Sequence, residues 1–185
     1  GIPPCPPWNQ IVVVHRERLQ YETLRPVAVW DVKGWSVFDF GRAISAFPQF
    51  TVTADREGAE LILGTGERLD PDSLPAMKDN VDFTETYLTK KGRQSWRPLT
   101  WRGFRYLSIE RDSGISIDDV SAQFRSFPVR RDGSFACSDE LLNKIWETGR
   151  WTLQICGHDT WMDTPWREQT QYIAGDARYN TRYSA

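Results

Sequence analysis

A change of hydrophobic period near Pro128 constrains this chain more than any other feature. Before it, apolar residues come in short runs. Residues 35–40 and 50–54 alternate, and 11–15, 59–63, 83–88, 96–101, 104–110 and 115–127 read as further strands. Turn residues separate them: Lys33-Gly34, Glu57-Gly58 and Gly64-Thr65-Gly66, with Gly92 and Gly103 placed as hairpin turns or bulges would require. Residues 70–80, with Pro71 and Pro75, read as a loop. Many short strands at this spacing predict an antiparallel β-sandwich.

Beyond Pro128 the pattern becomes helical. Residues 129–133 are charged and turn-like, a domain junction. Ser138 is placed to cap a helix, with Asp139 and Glu140 in its first turn, where the helix dipole favours negative charge. Leu141, Leu142, Ile145, Trp146 and Leu153 fall at helical spacing, which carries the helix to about residue 154. Thr164 and Pro165 read as the start of a second helix that Gly175 ends or bends. Two or three helices cannot close a core of their own, so they must pack on the sandwich or on further sequence. The expected fold is mainly β: an antiparallel sandwich over residues 1–131, followed over 132–185 by the first helices of a second, helical domain.

The 185 residues carry a formal net charge of -2 with positive and negative side chains interspersed. There is no basic stripe for nucleic acid and no apolar run approaching a membrane span. Cys5, Cys137 and Cys156 are odd in number and widely spaced. With His15 and His158 they form no metal-ligand pattern, so free thiols are expected and no metal or cofactor is implied. Residues 1–7 lack the regions of a signal peptide. A chain that opens without Met and stops on a helical pattern reads as a fragment, so this indicates no location. Nine tryptophans suit either a packed β-core or a carbohydrate surface.

Chemistry concentrates late in the chain. Asp163, Arg167, Glu168 and Asp176 lie among Trp161, Trp166 and Tyr172. Carboxylates can hold sugar hydroxyls and protonate a leaving oxygen, and aromatic rings stack on the C–H face of a sugar. Hydrolysis with inversion uses two carboxyl groups roughly 6.5–9.5 Å apart, one as acid and one to activate water. The acid must keep its proton near neutrality, which negative neighbours and apolar walls favour. Asp163 and Asp176 could supply the charge, and Trp161, Trp166 and Tyr172 the walls. Arg167 pointing inward would act the other way. The same residues also suit a solvated helix start with no chemistry.

The segments 146–154, Asp163-Thr164-Pro165-Trp166-Arg167-Glu168-Gln169 and Tyr172-Ile173-Ala174-Gly175-Asp176 together resemble the bacterial α-L-rhamnosidase family, inverting glycoside hydrolases of family 78. Residues 96–106 resemble the strand pair ahead of that family's catalytic barrel, and 135–146 its entry into the first barrel helix. The resemblance implies an α/α barrel of six helix pairs after the sandwich, opening here and truncated. It implies Glu168 as general acid, with Asp163, Arg167 and Asp176 holding rhamnose. It places the general base on a glutamate beyond this fragment. Trp161 and Trp166 are candidate sugar contacts. The expected partners are a rhamnosyl glycoside and the remainder of the parent barrel. Two alternatives stay open: a non-catalytic carbohydrate-binding sandwich, and a related barrel hydrolase acting on another sugar.

Overall fold

A computed structural model describes residues 18–78, 81–128, 133–158 and 160–169. The run at 11–15, Tyr172, Gly175 and Asp176 lie outside them. Among the described residues eight antiparallel strands precede one helix: β1 (Gln20–Leu24), β2 (Ala28–Val32), β3 (Trp35–Ala54), β4 (Glu60–Gly66), β5 (Thr84–Leu88), β6 (Gly92–Trp96), β7 (Arg102–Arg111), β8 (Ile115–Ser126) and α1 (Glu140–Cys156).

The long strand β3 organises the sandwich. Its first half pairs with β2 and β7, and β7 continues through β4 to β5. From Ala46 onward it pairs with β8, whose outer neighbour is β1, and from Phe50 with β6. One strand therefore belongs to both layers. Pro48, which cannot donate to a ladder, falls where β7 pairing has ended and β6 pairing has not begun. The 35–40 and 50–54 runs are thus one strand rather than two. Between them the register slips, and Gly41 takes φ +80°. Asp39 holds this bulge: one oxygen accepts from the Gly41 amide at 2.6 Å, and the carboxylate takes a bidentate pair from Arg105 at 2.8 and 2.9 Å. That pairing keeps the Asp39 carboxyl below its ordinary range.

Alternate residues of β3 — Ile44, Ala46, Phe50, Val52 and Ala54 — enter the core, where Leu61, Leu63, Phe104, Leu107, Ile109, Val120, Ala122 and Phe124 meet them. Lys33 and Gly34 both have positive φ and join β2 to β3 in a two-residue hairpin of type I′. The glycines at 64 and 66 form no turn but belong to β4. A Cβ on Gly64 would strike Met77, and one on Gly66 would lie 3.0 Å from Pro75. They are small so that the 70–78 segment can lie across the sheet. The strand read at 96–101 is also corrected: β6 ends at Trp96, and 97–101 is irregular. Gly103 lies inside β7, not at a turn.

Asp139, rather than Ser138, caps α1, its carboxylate accepting from the Leu141 amide at 2.8 Å. The helix docks by its C-terminal half. Trp151 stacks on Phe124 of β8 at 5.3 Å and donates its indole N–H to the Ala43 carbonyl at 2.7 Å, while Ile155 and Cys156 enter the core. Among the described residues no helix is long and apolar enough to cross a membrane.

Candidate active site

The chain leaves α1 through Gly157 and His158. The Gly157 carbonyl accepts from the Phe127 amide at 2.8 Å, which ties the helix end to the end of β8. His158 is buried, its Nε2 3.0 Å from Ser45 Oγ and its ring edge-on to Trp101 at 4.6 Å. The Ser45 hydroxyl donates to the Ile155 carbonyl at 2.9 Å, so it accepts from the histidine. His158 thus packs between the sheet and the helix end, a structural role. Trp161 forms a bridge with Gly157, its ring over the glycine Cα, and the Met162 amide donates to the Cys156 carbonyl at 3.0 Å. The segment therefore folds back on the helix end before the acidic residues begin.

Residues 164–168 close into a compact turn instead of opening the expected helix. Thr164 Oγ1 accepts from the Arg167 amide at 3.3 Å and the Glu168 amide at 3.2 Å, and the Thr164 amide donates back to the Glu168 carbonyl. Thr164 keeps the capping role its sequence suggested, but no helix follows it as far as residue 169. Gln169 braces the turn through the Pro165 carbonyl at 2.8 Å. The turn rests on the sandwich: Trp166 stacks on Phe83 at 4.8 Å, and the Pro165–Trp166 backbone lies against Gly103.

The predicted site residues divide as follows. Arg167 and Glu168 sit together at the surface, guanidinium to carboxylate 3.7 Å, with half the Glu168 side chain in water. Asp163 is exposed, and its backbone carbonyl faces the Cys156 thiol at 3.9 Å. Trp166 gives one ring face to Phe83. Asp176 lies outside the described residues. Among those described, no group of three or more His, Cys, Asp or Glu is arranged to hold a metal.

Sequence reasoning missed three neighbours. Burial, with the charges of Asp163 and Glu67, pushes the Cys156 thiol up to about 11. Burial also raises the Glu67 carboxyl above its ordinary value. Glu67 follows β4, about a hundred residues before Asp163, so no local signal pointed to it. Phe83 read only as a strand residue and Gly103 only as a hairpin turn or bulge. Trp96 packs against Phe50 at 5.3 Å and Tyr87 at 5.0 Å, as a core residue does.

A sandwich whose last strand is tied to a docked helix, followed by an acidic turn, is the junction of a β module with a helical domain. The family model of the bacterial alpha-L-rhamnosidase concanavalin-like domain matches residues 32–124, and that of the bacterial alpha-L-rhamnosidase 6 hairpin glycosidase domain matches residues 130–185. The chain belongs to the bacterial alpha-L-rhamnosidase family. It is 29% identical over 161 residues to an alpha-L-rhamnosidase of Formosa agariphila, covering 80% of this chain and 16% of that protein. The crystal structure of a family 78 rhamnosidase from Bacillus sp. GL1 superposes with a TM-score of 0.72 at 31% identity, covering 83% of this chain and 16% of that one. The alpha-L-rhamnosidase from Dictyoglumus thermophilum shares the fold, with a TM-score of 0.76 at 24% identity over 92% of this chain and 20% of that one. The chain thus spans about a sixth of the length of the first two relatives.

Proposed function

We propose that the parent of this chain hydrolyses terminal α-L-rhamnose from glycosides or polysaccharides with inversion, and that Glu168 is its general acid. Residues 1–131 form the sandwich domain and 132–185 the start of the catalytic barrel. The supporting observation is the closed Thr164–Glu168 turn in a member of this family. It fixes the backbone of Glu168 while the side chain stays half exposed at the surface beside Arg167.

The remaining roles are those the family resemblance implies. Glu168 delivers its proton to the glycosidic oxygen as the C–O bond breaks, and water attacks the anomeric carbon from the opposite face. Asp163, Arg167 and Asp176 hold sugar hydroxyls, with Trp161 and Trp166 against the ring. The remainder of the barrel supplies the general base and encloses the acid, so residues 1–185 alone are expected to be inactive.

Glu168→Gln in the full-length enzyme tests the assignment. Turnover of a rhamnoside with a poor leaving group should fall by on the order of 10²–10⁴, with the fold intact by circular dichroism. Near-normal turnover would remove Glu168 from the role.

A further inference from the structure

We infer that the sandwich positions the acid-bearing turn, through Gly103 of β7 and Phe83 ahead of β5, and thereby controls proton delivery by Glu168. The inference rests on the reading of Glu168 as the general acid. Gly103 is not in the left-handed region, so its backbone would accept any L residue. What it lacks is room. A Cβ there would lie 2.5 Å from the Pro165 carbonyl oxygen and 2.5 Å from the Trp166 nitrogen, both backbone atoms that cannot rotate away. The acid-bearing turn therefore lies directly on the strand.

Phe83 supports the turn from the neighbouring part of the sheet. Its ring stacks on Trp166 with 25° between the planes, and it is itself buried. Its backbone is anchored at both groups: the amide donates to the Met77 carbonyl at 2.9 Å, and the carbonyl accepts from the Thr65 amide of β4 at 3.2 Å. The platform is thus part of the packed sheet and does not yield easily. Only Arg167 separates Trp166 from Glu168, and Thr164 Oγ1 closes that span. A displacement at 165–166 therefore reaches the backbone of Glu168. Gly103 and Phe83 act through Glu168 and are positioning residues.

The test exploits leaving-group chemistry in the full-length enzyme. An alkyl rhamnoside needs its leaving oxygen protonated, whereas a strongly acidic phenol departs as the anion and bypasses the acid. Gly103→Ala should lower kcat on the alkyl rhamnoside by on the order of 10- to 10²-fold, against less than about threefold on the acidic aryl rhamnoside. Phe83→Ala should move both values in the same direction, and Phe83→Tyr, which keeps the stacking ring, should restore them. If Gly103→Ala does not fold, the Phe83 pair decides. Equal losses on the two substrates would mark a merely structural role and overturn the inference, as would no loss on the alkyl substrate. Glu168→Gln is the reference. If it lacks the leaving-group split, the acid assignment fails and the positioning role with it. If it shows the split and the positioning variants do not, the positioning role alone fails.

Discussion

In the sandwich, Phe50, Phe104, Leu61 and Ile109 are sealed from water. In α1 only Ile155 and Cys156 are buried, while Leu141, Leu142 and Ile145 expose 64%, 47% and 57% of their surface. The two regions obey the same hydrophobic rule with opposite results. The sandwich supplies both faces of its own core, because β3 passes through both layers and the remaining strands close over it. It offers α1 a surface only for the C-terminal half, through Phe124 and Ala43. The N-terminal half keeps its helix by capping and local hydrogen bonds, with Leu141, Leu142 and Ile145 left exposed. Self-sufficiency thus differs within one chain, and it changes along α1 rather than at a boundary between domains.

The sharpest way to break this comparison is Phe104→Ala. It should cost the 185-residue chain about 3–5 kcal/mol in urea unfolding, because the cavity opens where β3, β4 and β7 meet. A loss below about 1 kcal/mol would mean the core is less closed than its burial indicates. Next in size is Asp39→Asn, expected to cost about 1 kcal/mol, since Arg105 is partly exposed and water replaces part of the lost pairing. The pH dependence has a definite sign. Arg105 depresses the folded-state Asp39 carboxyl, so its stabilisation is fully present above the ordinary value of about 4 and is lost as pH falls through the lowered one. Asp39→Asn should therefore flatten that part of the acid loss in a pH series of unfolding curves.

The capping change Asp139→Ala should cost about 1 kcal/mol at most, seen as faster amide exchange in the first turn of α1 with little change in the sandwich. Smallest of all, Leu142→Ala should shift the unfolding midpoint by less than about 0.5 kcal/mol equivalent, since the side chain packs on little. A loss as large as that at Phe104 would show that the N-terminal half of α1 shares the sandwich core after all.

What the sequence disclosed depended on how local the cause was. The antiparallel pattern, the Lys33-Gly34 hairpin and α1 were legible because each follows from period, positive φ or helical spacing within a few residues. Strands β1 and β2 were not, since both lie largely exposed and neither buries a residue fully. The break in β3 was misread for a related reason: Gly41-Arg42-Ala43 interrupts the alternation, while the continuity depends on Asp39 meeting Arg105 from another strand. Gly64, Gly66 and Gly103 looked like turns because glycine usually marks one. Here each is small to admit a distant segment, which no window of sequence displays. In the candidate site, the run from Asp163 to Glu168 was visible as chemistry, but its support was not. Phe83 and Gly103 reach it only through the folded sheet, and the turn at Thr164 replaced the helix that Pro165 suggested.

The pairing of β1 with β8 carries a consequence for biosynthesis. Gln20 meets Ser126, roughly a hundred residues further along. On the ribosome β1 must wait for β8 until nearly the whole β module has emerged, and docking it closes the longest loop among the described strands. Three of its five residues, Gln20, Glu22 and Thr23, are polar, which suits that interval, because a nascent segment with little apolar surface gives neighbouring chains little to adhere to.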